Sequence, residues 1–243
     1  MLSINHIHIG KNDVIGNQFE KMGIKTYSHD ELDKIDWSNN VNFSISAFNP
    51  ENKSLDQGEF SFELKLLERI NPCSNLVYFS TARPASESIK YNNYVNHKTV
   101  VEKYFLNNVD NVLVLRVPNI VDVDLNFTSR FVKAFRAGLS CRSLRFDCAP
   151  ENEWNFVTNK SLVSFVNNLF ASGVNLDCGT YYFYSTEWTS AEDLSDLCIK
   201  NGLIDRVEYG VKKFPFPKGC GVDTFLVDVD VQEVFRALCG IKK

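Results

Sequence analysis

Two side chains at helical spacing are the first candidates for chemistry in this sequence. Tyr94 and Lys98 form a Y-x-x-x-K motif, which places a phenol and an ammonium on one face of a helix. A nearby cation stabilises phenolate, so the pKa of the phenol falls from its ordinary value of about 10 toward neutrality. The motif therefore predicts that Tyr94 exchanges a proton with a carbonyl or an alcohol.

The same motif occurs a second time, at Tyr209 and Lys213, so spacing alone does not identify a site. The surrounding sequence separates the two copies. Tyr94 follows an apolar run at 76–80 that is typical of a buried strand and ends beside the hydroxyl of Thr81. No comparable strand precedes Tyr209. We therefore assign the proton transfer to the first copy.

A glycine-containing turn lies near the start of the chain. Residues 10–16 read G-K-N-D-V-I-G between an apolar run and a helical pattern. Such a turn lets backbone N–H groups and a helix N-terminus approach a pyrophosphate. In the pattern G-x-x-G-x-x-G the middle glycine is replaced here by Asp13, and a carboxylate near phosphates is unfavourable unless it points away or caps the helix. An ordinary strand-to-helix turn is the alternative interpretation.

Strands and helices alternate along the chain. The patterns predict strands at 4–9, 24–28, 41–48, 76–80, 111–117, 143–146 and 180–184, and helices at 14–22, 60–70, 94–107, 129–137, 160–171 and 191–201. The run 111–117 is apolar without alternation, as a parallel strand covered on both faces requires. We predict a doubly wound parallel α/β sheet, a Rossmann fold, with a smaller C-terminal lobe.

The predicted domains follow this division. Residues 1–122 form a dinucleotide-binding domain to which 154–172 return, and a substrate-binding lobe comprises 123–153 and 173–243.

Composition excludes several classes of protein. Lysine and arginine number 26 against 30 acidic residues, without the basic clustering of a nucleic-acid-binding surface. No secretory signal and no run of about 18 apolar residues is present, so we expect a cytoplasmic protein without a membrane span. The seven cysteines include no C-x-x-C pair, and we predict neither a disulfide framework nor a metal site.

Several segments together resemble a known family. F-S-T-A at 79–82, Y-V-N-H-K at 94–98 and V-L-R-V-P-N-I-V-D at 114–122 are similar to the extended short-chain dehydrogenase/reductase family, also called the NAD-dependent epimerase/dehydratase family. The likeness continues at 154–159 and 179–194 in the family's order. It covers nearly the whole chain, although the segment between Thr81 and Tyr94 is shorter than is usual in the family.

The resemblance implies a role for each matching residue. Thr81 would hydrogen-bond the reacting oxygen, Tyr94 would be the general acid/base, and Lys98 would hold the nicotinamide ribose. The implied cofactor-binding residues are Gly10, Asn12, Asp13, Val14, Ile15, Gly16, Ser28, His29, Ala47, Phe48, Ser80, Tyr94, Lys98 and Pro118, and the implied substrate-binding residues are Thr81, Ala82, Arg83 and Asn119. Members of the family commonly form homodimers through the helix that carries Y-x-x-x-K, so the resemblance implies a homodimer through the Tyr94 helix.

The implied substrate is a nucleotide sugar and the implied cofactor is NADP or NAD. Ser28, His29 or Asp30 ends the second strand, where an acid binds the ribose of NAD and a basic group tolerates the phosphate of NADP. Lys11 and His29 favour NADP, and NAD remains open.

The residues after the active-site threonine exclude one reaction. Family members that eliminate water from the sugar have Asp-Glu there, whereas this chain has Ala82 and Arg83. We predict a ketoreductase acting on a nucleotide-linked 4-keto-6-deoxy sugar, since H-D-E-L-D at 29–33 is similar to a segment of the dTDP-4-dehydrorhamnose reductase branch. A nucleotide-sugar 4-epimerase with tightly bound NAD and a non-catalytic dinucleotide-binding sensor are the alternatives.

Overall fold

The computed structural model describes residues 5–11, 13–38, 42–46, 60–82, 93–122, 130–173, 178–213 and 223–240. In chain order its elements are β1 (His6–Ile9), α1 (Val14–Lys21), β2 (Lys25–Tyr27), a 3-10 helix (His29–Lys34), β3 (Asn42–Ile45), α2 (Phe60–Arg69), β4 (Asn75–Thr81), α3 (Asn93–Asn108), β5 (Asn111–Val117), β6 (Asn119–Val121), α4 (Arg130–Ser140), β7 (Ser143–Cys148), β8 (Glu153–Thr158), α5 (Asn159–Ala171), β9 (Gly179–Ser185), β10 (Trp188–Ser190), α6 (Ala191–Lys200), β11 (Arg206–Lys212), β12 (Thr224–Val227) and α7 (Val231–Cys239). None of these helices is both long enough and apolar enough to cross a lipid bilayer.

The chain divides into two compact units. Unit 1 comprises residues 1–117, 162–182 and 221–223, and unit 2 comprises 118–161, 183–220 and 224–243.

A parallel sheet organises unit 1. The strand order within this unit is β2-β1-β3-β4-β5-β9. Each of the ladders from β2 to β9 is parallel. The predicted doubly wound α/β fold is therefore confirmed.

The strand order reverses direction at β1. The chain runs from β1 outward to β2 and then returns to the other side of β1 to form β3. In open α/β sheets, ligands bind outside the carboxyl ends of the strands at such a reversal. The carboxyl ends of β1 and β3 are thus where this rule places a ligand.

Apolar residues on both faces explain why β4 and β5 lie in the middle of the sheet. The interior residues of β4 are buried without alternation, as are four consecutive residues of β5. Helix α1 covers one face with Ile15 and Phe19, which recur at helical spacing. The largest cluster of buried side chains in unit 1 joins β1, β3, β4 and β5 to α2 and α3.

In unit 2, β7 corresponds to the predicted strand at 143–146, whereas the sequence patterns did not predict β6, β8, β10, β11 and β12. Strand β8 pairs in parallel with β6 and in antiparallel with β10, and β7 pairs with β11. Tyr209 lies on β11, where its hydroxyl contacts Ser195, and Lys213 pairs with Glu151 at 2.7 Å. Residues four apart on a strand are separated by about 13 Å. The second Y-x-x-x-K copy therefore does not form a phenol–ammonium pair.

A buried ion pair joins α3 to the sheet. Arg116 of β5 donates to both carboxylate oxygens of Glu102, at 3.2 and 2.7 Å, and also to the hydroxyl of Tyr182 at 3.3 Å. Ser80 of β4 donates to the same carboxylate. Glu102 is buried, and its hydrogen bonds raise the pKa of Arg116 above its usual range. Two strands and one helix thus meet at a single carboxylate, and β9 joins them through Arg116.

We expect Glu102→Gln to lower the free energy of unfolding by about 3 kcal/mol, because it leaves Arg116 without its counter-charge. Urea denaturation at neutral pH measures this change. The matched control is Asp205→Asn, which breaks the exposed pair with Arg142 at 2.7 Å and should change stability little. Equal effects of the two substitutions would contradict a structural role for the Glu102 network.

Candidate active site

The turn between β1 and α1 brings backbone into close contact. Gly10 has φ of +141°, a conformation that side chains rarely adopt. A Cβ atom on Gly16 would lie 2.1 Å from the carbonyl oxygen of Gly10, so a larger residue would push α1 away from the turn. A dinucleotide-binding turn requires such a tight bend and such a close helix approach, and these two glycines allow both.

Asp13 caps the helix that begins in this turn. Its Oδ1 accepts the N–H of Gly16 at 2.7 Å, and its Oδ2 accepts the hydroxyl of Ser46, the residue that follows β3. The carboxylate therefore lies at the topological reversal between β1 and β3. Enclosure raises the pKa of Asp13 to about 6, although the bonds from Gly16 and Ser46 and the nearby charge of Lys98 act in the opposite direction.

A hydrogen-bonded series of serines and histidines leads from Asp13 into the sheet. Ser46 contacts Nε2 of His8 at 2.8 Å, Nδ1 of His8 contacts Ser44 at 2.8 Å, and Ser44 contacts Nε2 of His6 at 2.8 Å. Burial lowers the pKa of His6 to about 3 and lowers the pKa of His8 as well. Both imidazoles are therefore neutral at physiological pH.

The series has a direction. Ser46 donates to Asp13, so it accepts from Nε2–H of His8, and Nδ1 of His8 in turn accepts from Ser44. Ser44 then accepts from Nε2–H of His6. Nδ1 of His6 keeps a lone pair, and it has no hydrogen-bond partner among the described residues. Each donor in the series thus points toward the Asp13 carboxylate.

Lys98 lies at the carboxyl end of β4. Its Nζ donates to the carbonyl of Phe79 at 2.9 Å and lies 4.7 Å from the ring centroid of Tyr78. The residue is only 3% exposed. The ammonium is therefore held two residues before Thr81. Helix α3 thus brings Lys98, of the predicted catalytic pair, to the end of β4, where the predicted threonine lies. Tyr94 is the second residue of α3, and its side chain is outside the described part.

Ser28, at the end of β2, is surrounded by carboxylates. Its hydroxyl contacts Asp30 at 2.6 Å and Glu31 at 3.0 Å, and its N–H donates to Glu31 at 3.1 Å. The bond from Lys34 holds the pKa of Glu31 down at about 2, and the Ser28 hydroxyl lowers the pKa of Asp30. Both carboxylates are ionised at neutral pH, while His29 is exposed.

The remaining predicted residues are distributed as follows. Ser80 donates to Glu102, and the N–H of Ala82 donates to the Val117 carbonyl at 2.9 Å. Val14 and Ile15 begin α1. Pro118 and Asn119 belong to unit 2, where the Asn119 amide contacts the Asn155 carbonyl at 3.5 Å. Asn12, Ala47, Phe48 and Arg83 lie outside the described residues.

The sequence interpretation missed the polar series in the sheet. His6 and His8 alternate along β1, and Ser44 and Ser46 alternate along β3 and the residue after it. Alternation puts each pair on one face of its strand, and this signal was available before the structure. No group of three or more His, Cys, Asp or Glu within the described ranges could hold a metal ion.

The turn between β1 and α1 matches a dinucleotide in shape but not fully in charge. Gly10 and Gly16 provide the backbone shape that a diphosphate requires, and Lys98 provides a cation in the same unit. Asp13 carries the same charge as a diphosphate. The residues present therefore fit the cofactor in shape, with one group of like charge at the helix N-terminus.

Comparison with known proteins supports the fold. No family model matches the sequence and no curated protein matches it. Solved structures do match. RMD from Pseudomonas aeruginosa, complexed with NADPH, is 12% identical with a TM-score of 0.66 over 97% of this chain and 98% of that one. UDP-N-acetylglucosamine 4-epimerase from Bacillus cereus is 12% identical with a TM-score of 0.62, over 97% of each chain.

A further match is dTDP-4-dehydrorhamnose reductase from Bacillus anthracis in complex with NADP. It is 14% identical with a TM-score of 0.60, over 94% of this chain and 92% of that chain. At these identities the likeness establishes the fold. The expected Rossmann fold is thus confirmed.

The raised pKa of Asp13 predicts a pH-dependent stability. The folded state retains the Asp13 proton between about pH 4 and pH 6, whereas the unfolded state releases it. Wild type should therefore lose stability relative to Asp13→Asn as pH rises through this window, by on the order of 1–3 kcal/mol. Urea denaturation at pH 4, 5, 6 and 7 measures the difference.

Asp193→Asn is the control for a carboxylate with a lowered pKa. The Ser190 hydroxyl lowers the pKa of Asp193, so the stabilisation that Asp193 provides is complete above the ordinary pKa of aspartate, and the cost of the substitution should stay constant from pH 5 to pH 7. If the difference between wild type and Asp13→Asn is constant across the window, Asp13 has no raised pKa.

Proposed function

We propose that this chain is a member of the extended short-chain dehydrogenase/reductase family that reduces the keto carbon of a nucleotide-linked 4-keto-6-deoxy sugar with a nicotinamide dinucleotide. The observation that carries the proposal is the buried ammonium of Lys98, which is bonded to the Phe79 carbonyl two residues before Thr81. Lys98 lies on α3, whose second residue is Tyr94. The fold shared with RMD from Pseudomonas aeruginosa, whose structure contains NADPH, supports the same reaction class.

Each catalytic role follows from a chemical property of the side chain. Tyr94 donates a proton to the keto oxygen as the carbonyl becomes an alcohol, and the positive charge of Lys98 makes that donation easier by stabilising phenolate. The hydroxyl of Thr81 orients the keto oxygen toward the phenol. The bound nicotinamide supplies the hydride.

A 4-epimerase is the second candidate, because it requires the same phenol, ammonium and hydroxyl. The likeness to the Bacillus cereus 4-epimerase supports it. The two reactions differ in their use of cofactor: a reductase consumes one reduced nicotinamide for each sugar, whereas an epimerase regenerates its bound NAD.

The charges at Ser28 bear on the choice between NAD and NADP. Asp30 and Glu31 are both ionised beside the Ser28 hydroxyl, and Lys34 offsets only one of them. A 2′-phosphate at the end of β2 would be repelled, whereas a ribose hydroxyl could donate to a carboxylate. We propose that the cofactor is NAD, although Lys11 and His29 favoured NADP in the sequence.

Tyr94→Phe should lower turnover of a 4-keto sugar nucleotide by a factor of about 10² to 10⁴, because the general acid is lost. The affinity for reduced dinucleotide should change little. Steady-state kinetics and calorimetric binding measure the two effects. Tyr209→Phe is the matched control, since it removes a tyrosine hydroxyl bonded only in unit 2 and should leave turnover unchanged. Equal turnover of wild type and Tyr94→Phe would remove Tyr94 from the mechanism.

The double substitution Asp30→Asn and Glu31→Gln should narrow the preference for NADH over NADPH by about five-fold or more, because two repelling charges are removed near the ribose. Dissociation constants for both dinucleotides at low ionic strength measure the preference. Asp33→Asn, in the same 3-10 helix but paired with Arg69 at 2.7 Å, is the control. Tighter binding of NADPH than NADH by wild type would contradict the proposed cofactor.

A further inference from the structure

The position of Asp13 conflicts with the use of its turn as a phosphate site. The carboxylate accepts the N–H of Gly16 at 2.7 Å, and it also bonds to the N–H of Ile15. Backbone N–H groups at the start of a helix are the donors that bind an anion. In this chain an internal anion already uses them.

Charge adds to this competition. The titratable groups that face Asp13 in the described residues are Lys98 of α3 and, through the serines of β3 and its following residue, His8 and His6 of β1. The two histidines are neutral, so Lys98 is the cation that offsets the carboxylate. A diphosphate placed at the same N–H groups would bring two further negative charges against Asp13.

We propose that Asp13 limits the dinucleotide affinity of this chain, because its carboxylate competes with the cofactor diphosphate for the N-terminus of α1, and that binding is accompanied by uptake of one proton at Asp13. This inference rests on the proposed function. The proton comes from solvent and neutralises the carboxylate. The neutral side chain then no longer competes with the diphosphate for the N–H groups at the start of α1. The raised pKa of Asp13, about 6, puts this protonation within reach of neutral pH.

The serine–histidine series responds to the same proton. When a proton reaches Asp13 and Asp13 donates to Ser46, every hydrogen bond of the series reverses. His8 loses its Nε2 proton toward Ser46 and gains one at Nδ1 from Ser44, while Ser44 takes the Nε2 proton of His6 and solvent protonates Nδ1 of His6. Which nitrogen of His8 carries the proton therefore depends on whether Asp13 is charged.

The test compares the binding of NADH and of ADP-ribose to the full chain by isothermal calorimetry at pH 5.5, 6.5 and 8.0. Neither probe carries a 2′-phosphate, whose own pKa of about 6 would obscure the result. Wild type should bind about ten-fold or more weakly at pH 8.0 than at pH 5.5. At pH 8.0, titrations in two buffers with different heats of ionisation should show uptake of about one proton per dinucleotide.

Two substitutions separate charge from position. Asp13→Asn keeps the side-chain size and should bind at pH 8.0 about as tightly as wild type does at pH 5.5, with no proton uptake. Asp13→Gly restores the glycine of the turn and should bind most tightly at each pH. Asp230→Asn is the matched control, since Asp230 caps α7 through the N–H of Gln232 at 2.9 Å, and its binding should equal that of wild type.

The outcomes distinguish this inference from the proposed function. Wild-type binding that is tight, independent of pH and equal to that of Asp13→Gly overturns the role of Asp13 and leaves the reductase proposal intact. Failure of wild type and of both variants to bind either probe overturns the proposed function, and the inference with it. If Asp13→Gly does not fold by circular dichroism, Asp13→Ser retains a capping hydroxyl without the charge and provides the same comparison.

Discussion

The contact between Gly16 and the carbonyl of Gly10 is the constraint on which the site depends. Because no Cβ intervenes, the first turn of α1 lies directly against the end of β1. This proximity determines where Asp13 caps the helix. It also packs Phe19 against the buried histidines: the distance between ring centroids is 4.9 Å for His6 and 4.6 Å for His8. One pair of glycines thus positions both the anion at the helix start and the aromatic cover of the buried histidines.

Much of the fold of unit 1 could be predicted because its signals are local. The continuous apolar run at 111–117 became β5 with the same bounds, and the helical stripe at 160–171 became α5 with one residue added. The strands β6 and β10 of unit 2 could not be predicted, because three residues are too few to show a period. They exist through pairing with β8, which lies far away in sequence.

Prediction of the site was limited by contacts across strands. The alternation of His6 and His8 shows that they share a face, but the series with Ser44 arises only from the parallel register that pairs His8 with Ser44. Ser80 was assigned to the cofactor from a motif, and its hydroxyl in fact bonds to Glu102 on α3, 22 residues later. The assignment of Ser80 to the cofactor stays a prediction. Motif order identified the strand ends, whereas the partners of polar side chains depend on packing that the sequence does not encode locally.

Unit 1 is built from separated stretches of chain, and this has a consequence for its synthesis on the ribosome. Residues 1–117 emerge first, but α5 and β9 follow only after 44 residues of the other unit, at 118–161. Until then β5 lacks its neighbour β9, and Phe170, whose ring lies 4.7 Å from that of His6, has not been made. The free N–H and C=O groups of an unpaired strand edge can bond to a strand of another chain, which promotes aggregation. The nascent protein therefore carries an open sheet edge while residues 118–178 are being made.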